Sequence, residues 1–299
     1  MVMRRKIAFL LGLYIPLVAG CALLPRRGAT PADASAAREL SVQGMAAMET
    51  GQWDRAEMLL RKALDASPDD AHSRRYLAEV LWRRGATGEA LAQMAAATRA
   101  DTADAPLSVR EGEMLLAVGS VDAALAQANR AIQLDPRMPA AWALRGRVFS
   151  RLNQPDRALS DMYRALEFEP NHRDLLLQMA GIYRQLGQPS RSLTTLHRLI
   201  DCYPPGEVPQ EALWLEGLAL HDLGRGRQAA ESLVAASRRG PPRPDVFYVL
   251  AQVQAALGDQ EAAASSARQA LAIDASHAPS RQLLSQLTVA GAPANEQRR

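Results

Sequence analysis

PAAWALRGRVFSRLNQPDRALSDMYRALEFEPNH, residues 139–172, reads as two helices joined by a tight turn. Trp142 and Phe149 stand two helical turns apart, a spacing that suits one apolar helix face and not an alternating strand. Asn153 is a residue type that tolerates the left-handed conformation ending a helix, and Pro170 cannot continue one.

The same arrangement recurs outward from this stretch with a period of 34 residues. Seven units lie at 37–70, 71–104, 105–138, 139–172, 173–206, 210–243 and 244–277. The eighth position is Gly44, Ala78, Gly112, Gly146, Ala180, Gly217 and Ala251, always small. Small residues return at the twentieth position, from Ala56 to Ala263 with Ser192 among them, and at the twenty-seventh, where Leu199 is the exception. The fifteenth reads Gly51, Gly85, Gly119, Asn153, Gly187, Gly224 and Gly258, and Pro68, Pro136, Pro170, Pro204 and Pro241 follow the second helices. A helix of about 14 residues is marginal alone in water, so each pair must be stabilised by stacking on its neighbours. Small residues mark where helices approach closely, and Leu77, Leu81, Met179 and Tyr183 fill the space between.

The chain therefore resembles the tetratricopeptide repeat family, whose pattern is Trp, Leu-Gly, Tyr, Ala, Phe, Ala and Pro at fixed offsets. The fourth unit carries Trp142, Gly146, Phe149, Ala158, Ala165 and Pro170, and departs in Arg145 for the leucine and Met162 for the aromatic. The end units are weaker, with Ala47 and Gln254 where a large residue is usual. The resemblance implies an all-α, right-handed α-solenoid of about seven helix-turn-helix units. A capping helix is expected over 278–290, where Leu283, Leu284 and Leu287 line one face, and a disordered tail over 291–299. One break in register, at 204–209, inserts three residues between the fifth and sixth units; it reads either as a longer surface turn or as a hinge.

The formal charge of +3 resides in Arg4, Arg5 and Lys6. Without residues 1–20 the chain has 32 basic and 32 acidic residues, which gives little electrostatic reason to bind nucleic acid. Those first residues join a basic start to an apolar run, Ile7 to Val18, too short to span a bilayer comfortably, and read as a signal peptide. The run ends in Leu17-Val18-Ala19-Gly20-Cys21, which resembles the lipobox of bacterial lipoproteins. That resemblance implies cleavage before Cys21 and lipidation of its thiol; the alternative is an ordinary secretory signal with a chance cysteine. Ala22 in place of Asp favours the outer membrane by the same analogy. Residues 21–36, with Pro25, Gly28 and Pro31, then form a flexible tether, and the repeats face the periplasm of a bacterial cell envelope, held by a membrane anchor.

Cys202 is left without an intramolecular partner and reads as a small apolar residue or as one half of an intermolecular bridge. His72, His172, His197, His221 and His277 lie in separate units without metal-ligand spacing, so no metal and no cofactor is expected. There is no Gly-x-Ser-x-Gly elbow and no phosphate loop, and the chain is not expected to be an enzyme.

In the resembled family the first helices line a concave groove, with positions 2, 5, 9 and 12 of each unit pointing into it. Carried over, these are Met45 and Met48; Arg75, Glu79 and Trp82; Glu113 and Leu116; Arg147; Asp174, Leu177 and Arg184; Trp214, Leu218 and His221; Asp245, Tyr248 and Gln252. Aromatics and arginines of this kind anchor protein partners, so Arg75, Trp82, Arg147, Arg184, Trp214 and Tyr248 are the candidate binding residues. For the two tryptophans the competing reading is packing against the next helix, and for Arg147 and Arg184 it is a solvated or locally paired side chain. The subclass that clamps chaperone carboxylates uses Lys and Asn at positions 5 and 9 of its first unit, where Ser41 and Met45 stand here.

The function expected is a lipid-anchored scaffold that holds a protein or peptide partner while an envelope machine assembles. Tetratricopeptide lipoproteins of this size resemble pilotins and assembly factors of pili and of outer-membrane protein insertion. A component of polysaccharide export or cell-wall remodelling, binding glycan or a glycan enzyme, is the alternative.

Overall fold

The computed structural model describes residues 31–290. The signal peptide at 1–20, Cys21, the tether as far as residue 30 and the tail at 291–299 lie outside the described residues.

Each unit folds as its punctuation dictates, into α1 (Pro31–Glu49) and α2 (Trp53–Ala66), α3 (Ala71–Arg83) and α4 (Thr87–Ala100), α5 (Ala105–Ala117) and α6 (Val121–Leu134), α7 (Pro139–Arg151) and α8 (Pro155–Phe168). There follow α9 (Arg173–Gln185) and α10 (Pro189–Ile200), α11 (Gln210–Asp222) and α12 (Gly226–Ser237), α13 (Pro244–Ala256) and α14 (Gln260–Ile273), and finally α15 (Ala278–Ala290). The described residues are all-helical, an α-solenoid of seven helix pairs and one further helix packed on α13 and α14. In one respect the sequence reading needs correction: α1 begins at Pro31, so residues 31–36 are helix and not tether. Ala37, on that first helix, is already buried at 2 % exposure.

The turn between the two helices of a pair closes by the same bonds each time. After α7, Asn153 sits at φ 55° and the Gln154 N–H reaches back to the Phe149 carbonyl at 2.9 Å, a left-handed cap on a side chain that can accept it. The thirty-fourth position starts the next pair. Asp70 accepts from the Ser73 N–H at 2.9 Å, Asp104 from Leu107 at 2.9 Å and the His172 ring from Leu175 at 3.4 Å, which satisfies N–H groups that a helix start leaves free.

Small residues at the eighth position let paired helices touch. A Cβ on Gly217 would stand 2.6 Å from Leu233 Cγ, and one on Gly146 2.9 Å from Met162 Cγ. The core differs along the chain. Alanine-rich units in the amino-terminal half give three separate apolar clusters, whereas the leucines of α8 to α13 build one cluster from Ala143 to Val253. That cluster continues across the break in register, where Cys202, Tyr203 and Val208 pack against it and Pro209 immediately precedes α11.

Candidate partner-binding face

Odd-numbered helices touch one another across units, at α1 and α3, α5 and α7, α9 and α11, α11 and α13, and α13 and α15. Among the described residues the even-numbered helices do so less, which makes the odd layer the inner, concave side of the solenoid.

A ladder of charges crosses this layer. Arg110 grips both oxygens of Glu79 on α3, at 2.6 and 2.7 Å, and also reaches Glu113 at 3.2 Å. The other oxygen of Glu113 accepts from Arg147 of α7 at 2.7 Å. The carboxylates, Glu79 foremost, raise the Arg110 pKa above its ordinary value, so Arg110 stays a cation. Beyond it a cavity of about 310 Å³ is lined by Glu113, Leu116, Ala117, Arg147, Ser150, Arg151 and Gln178, from three successive inner helices. The Arg147 Nε is buried beside it without a hydrogen-bond acceptor. Such a group costs roughly 1–3 kcal/mol, and an incoming carbonyl or carboxylate would relieve it.

The other candidate residues are spread along the same face. Arg184 Nε lies 3.3 Å from Asp222 Oδ2, close enough for an ion pair yet not aligned for a hydrogen bond. Trp214 packs against the core with its Nε1 buried and unpartnered, and the Arg243 guanidinium sits 4.4 Å above its ring while pairing with Glu211. Tyr248 accepts from Gln252 Nε2 at 2.9 Å and meets the His277 ring edge-on at 5.5 Å. Trp82 is half-buried between two apolar clusters, and Arg75 is half-buried beside Tyr76. Leu218, taken from the same register rule, is 5 % exposed and belongs to the core cluster that α11 shares with its neighbours. Arg110, Arg151 and Gln178 were missed by the register rule. The Arg110–Glu113 spacing on one helix face was the available signal for the first.

Asp245, His277 and Ser280 touch in the order of a charge-relay triad, at 3.3 and 2.8 Å. Ser280 is completely buried, and its own N–H also donates to the His277 ring at 3.3 Å, so the three cap the start of α15 and offer no nucleophile to solvent. Among the described residues no group of three or more His, Cys, Asp or Glu side chains is placed to hold a metal, and no helix is long and apolar enough to cross a membrane.

Sequence models described as tetratricopeptide repeat match residues 42–105, 109–173 and 215–278, and another of the same description matches 174–205. No curated protein matches the sequence. Solved structures with a similar fold include a tetratricopeptide repeat protein from Parabacteroides merdae, 18 % identical with a TM-score of 0.61, covering 85 % of this chain and 99 % of its own. PilW, described as a widely conserved type IV pilus biogenesis factor, is 16 % identical with a TM-score of 0.62 over 68 % of this chain and 92 % of its own. YrrB, described as having an unusual peptide-binding site, is 22 % identical with a TM-score of 0.56 over 63 % of this chain and 96 % of its own.

Proposed function

The chain belongs to the tetratricopeptide repeat family, and from that premise we propose that it is a membrane-anchored scaffold which holds a partner protein or peptide in its inner groove. The observation that carries the reading is the cavity between α5, α7 and α9. Apolar Leu116 and Ala117 form one side of it, and Arg147 brings a buried N–H that has no acceptor among the described residues. An extended segment supplies such acceptors along its whole backbone, whereas the ladder beside the cavity is already paired charge for charge and contributes register more than affinity.

Anchoring rests on Leu17 to Cys21: a lipidated Cys21 would place the groove at the surface of the bacterial envelope, on the periplasmic and outer-membrane side. The machine served is one whose assembly needs a passive holder, such as a pilus, secretion or outer-membrane system; the fold shared with a pilus biogenesis factor is in keeping with that. No catalytic role is assigned.

Gentle crosslinking in membranes followed by detergent extraction tests both halves. The wild-type protein should fractionate with membranes and bring down a discrete partner. Cys21→Ser should release it from the membrane fraction, and Arg147→Ala with Arg184→Ala should lose the partner while remaining folded. Recovery of the crosslinked wild-type protein alone would sink the scaffold reading.

A further inference from the structure

A second cavity, of about 470 Å³, opens on the other side of the solenoid between the fourth and fifth units, and its lining has a different chemistry from the groove. Tyr163 of α8, Tyr183 of α9 and one face of α10 surround it, the last with Ser190, Arg191, Thr194, Thr195 and Arg198. No carboxylate lines it.

The tyrosines are the first part of the argument. Their hydroxyls lie 2.5 Å apart. Two phenols share one hydrogen bond, so one O–H of the pair is left to donate elsewhere, and no acceptor for it exists among the described residues. Tyr183 is 3 % exposed, and its pKa is pushed up to about 12 by burial and by Tyr163. Tyr183 therefore keeps its proton at any physiological pH.

The arginines are the second part. Several guanidinium groups of this protein are neutralised by carboxylates, as Arg61 is by Glu89, Arg110 by Glu79 and Arg145 by Asp161. Arg191 and Arg198 are not. Arg191 donates to the neutral Gln188 side chain at 3.0 Å, Arg198 to the Pro170 carbonyl at 3.2 Å, and no Asp or Glu among the described residues forms an ion pair with either. The threonine hydroxyls are used within the helix, Thr194 on the Ser190 carbonyl at 3.0 Å and Thr195 on the Arg191 carbonyl at 2.8 Å, which leaves the two cations, the Ser190 hydroxyl and the phenol as the donors.

We propose that this cavity binds a phosphate group, held by Arg191, Arg198 and the Tyr163–Tyr183 pair. Two cationic forks and an O–H match the charge and the three free oxygens of a phosphate monoester better than the single charge and two oxygens of a carboxylate. The site is separate from the partner-binding groove, and neither reading depends on the other. A free phosphorylated molecule and a lipid headgroup present the same chemistry here.

The test uses the full-length chain carrying Cys21→Ser, so that no lipid anchor intervenes, with inorganic phosphate as probe. Phosphorus NMR line broadening and a thermal shift should both saturate with phosphate, and Arg191→Gln with Arg198→Gln, two exposed changes, should weaken the apparent affinity about tenfold or more. Tyr163→Phe should weaken it by a smaller factor. Sedimentation with phosphatidylcholine vesicles, with and without phosphatidic acid, distinguishes the sources: binding only with phosphatidic acid assigns a headgroup, and phosphate saturation without vesicle binding assigns a free ligand. Absence of saturation, or saturation unchanged in the double arginine variant, overturns the proposal.

Discussion

Arg145 and Asp161 are joined by two parallel hydrogen bonds, Nε to Oδ2 at 2.7 Å and Nη2 to Oδ1 at 2.9 Å, at a place where the repeat pattern calls for leucine. Asn129 of the preceding unit completes the arrangement, accepting from Arg145 Nη1 at 3.0 Å, and the Trp142 ring lies 4.9 Å from the guanidinium. The sixth unit repeats the geometry with other residues. Glu216 stands at the equivalent position, accepting from the Ser232 hydroxyl at 2.9 Å, with His197 Nε2 lying 3.3 Å from its other oxygen.

Removing one partner of that pair leaves the other facing a seam that is partly closed to water. Asp161, whose side chain is 8 % exposed, is the more deeply placed, and Arg145 retains some solvent contact at 22 %. Asp161→Ala should destabilise the fold by about 2–3 kcal/mol, while Arg145→Leu with Asp161→Leu should recover most of the loss. Urea denaturation of these two variants beside the wild type decides it; a double variant no more stable than Asp161→Ala would contradict the coupling.

In the third unit the same seam is incomplete. Glu111 and Gln127 stand at the places of Arg145 and Asp161, but Ala95 fills the place of Asn129. Glu111 Oε2 and Gln127 Oε1 are buried without hydrogen-bond partners. Ala95→Asn supplies a donor and should raise stability by about 1 kcal/mol, and Glu111→Leu should stabilise as well by removing the orphaned carboxylate. A lower melting temperature for both variants would show that the seam is satisfied in some other way.

Two glycines in helices should respond in opposite directions to alanine. Gly217→Ala drives a methyl to within 2.6 Å of Leu233 Cγ and should cost about 1–3 kcal/mol. Gly181, in α9, has nothing within 4 Å of its added Cβ and no positive φ, so Gly181→Ala should gain about 0.5–1 kcal/mol in helix propensity. Thermal denaturation of the pair separates packing from backbone entropy.

Alkaline unfolding should carry the signature of Tyr183. Its pKa rises from 10.0 in the ordinary case to about 12 in the fold, chiefly through burial and next through the hydrogen bond to Tyr163. The unfolded chain then releases this proton first, so stability falls as pH climbs from 10.0 towards about 12, by at most about 2–3 kcal/mol. Tyr183→Phe should flatten that part of the profile relative to the wild type. Parallel profiles would mean that the phenol titrates as freely in the fold as outside it.

The solenoid was legible because its signals are local and repeated. Glycine or asparagine at the fifteenth position and the prolines that follow the second helices act on the nearest few peptide groups, so reading them in register locates the helix ends. The start of α1 at Pro31 escaped that reading, since it precedes the first unit and no repeat lies before it to compare. The face was less legible. A register rule gave Arg147, but it could not tell that Leu218 is sealed in the core or that Trp214 lies partly against it, because both depend on how neighbouring units tilt. Arg145 looked like a lapse from the pattern. Its partner sits 16 residues away on a second helix, and only the assembled seam brings the two charges into contact.

The leucine-built cluster from Ala143 to Val253, set against the three separate clusters before it, makes the two halves mechanically unequal. Under tension, which every unit in series feels alike, the amino-terminal units with their smaller apolar clusters should yield before the carboxy-terminal four, whose leucines bury one another across unit boundaries. The chain is then a spring with one stiffer end: whatever rests on α9 to α13 keeps its shape while the softer units extend.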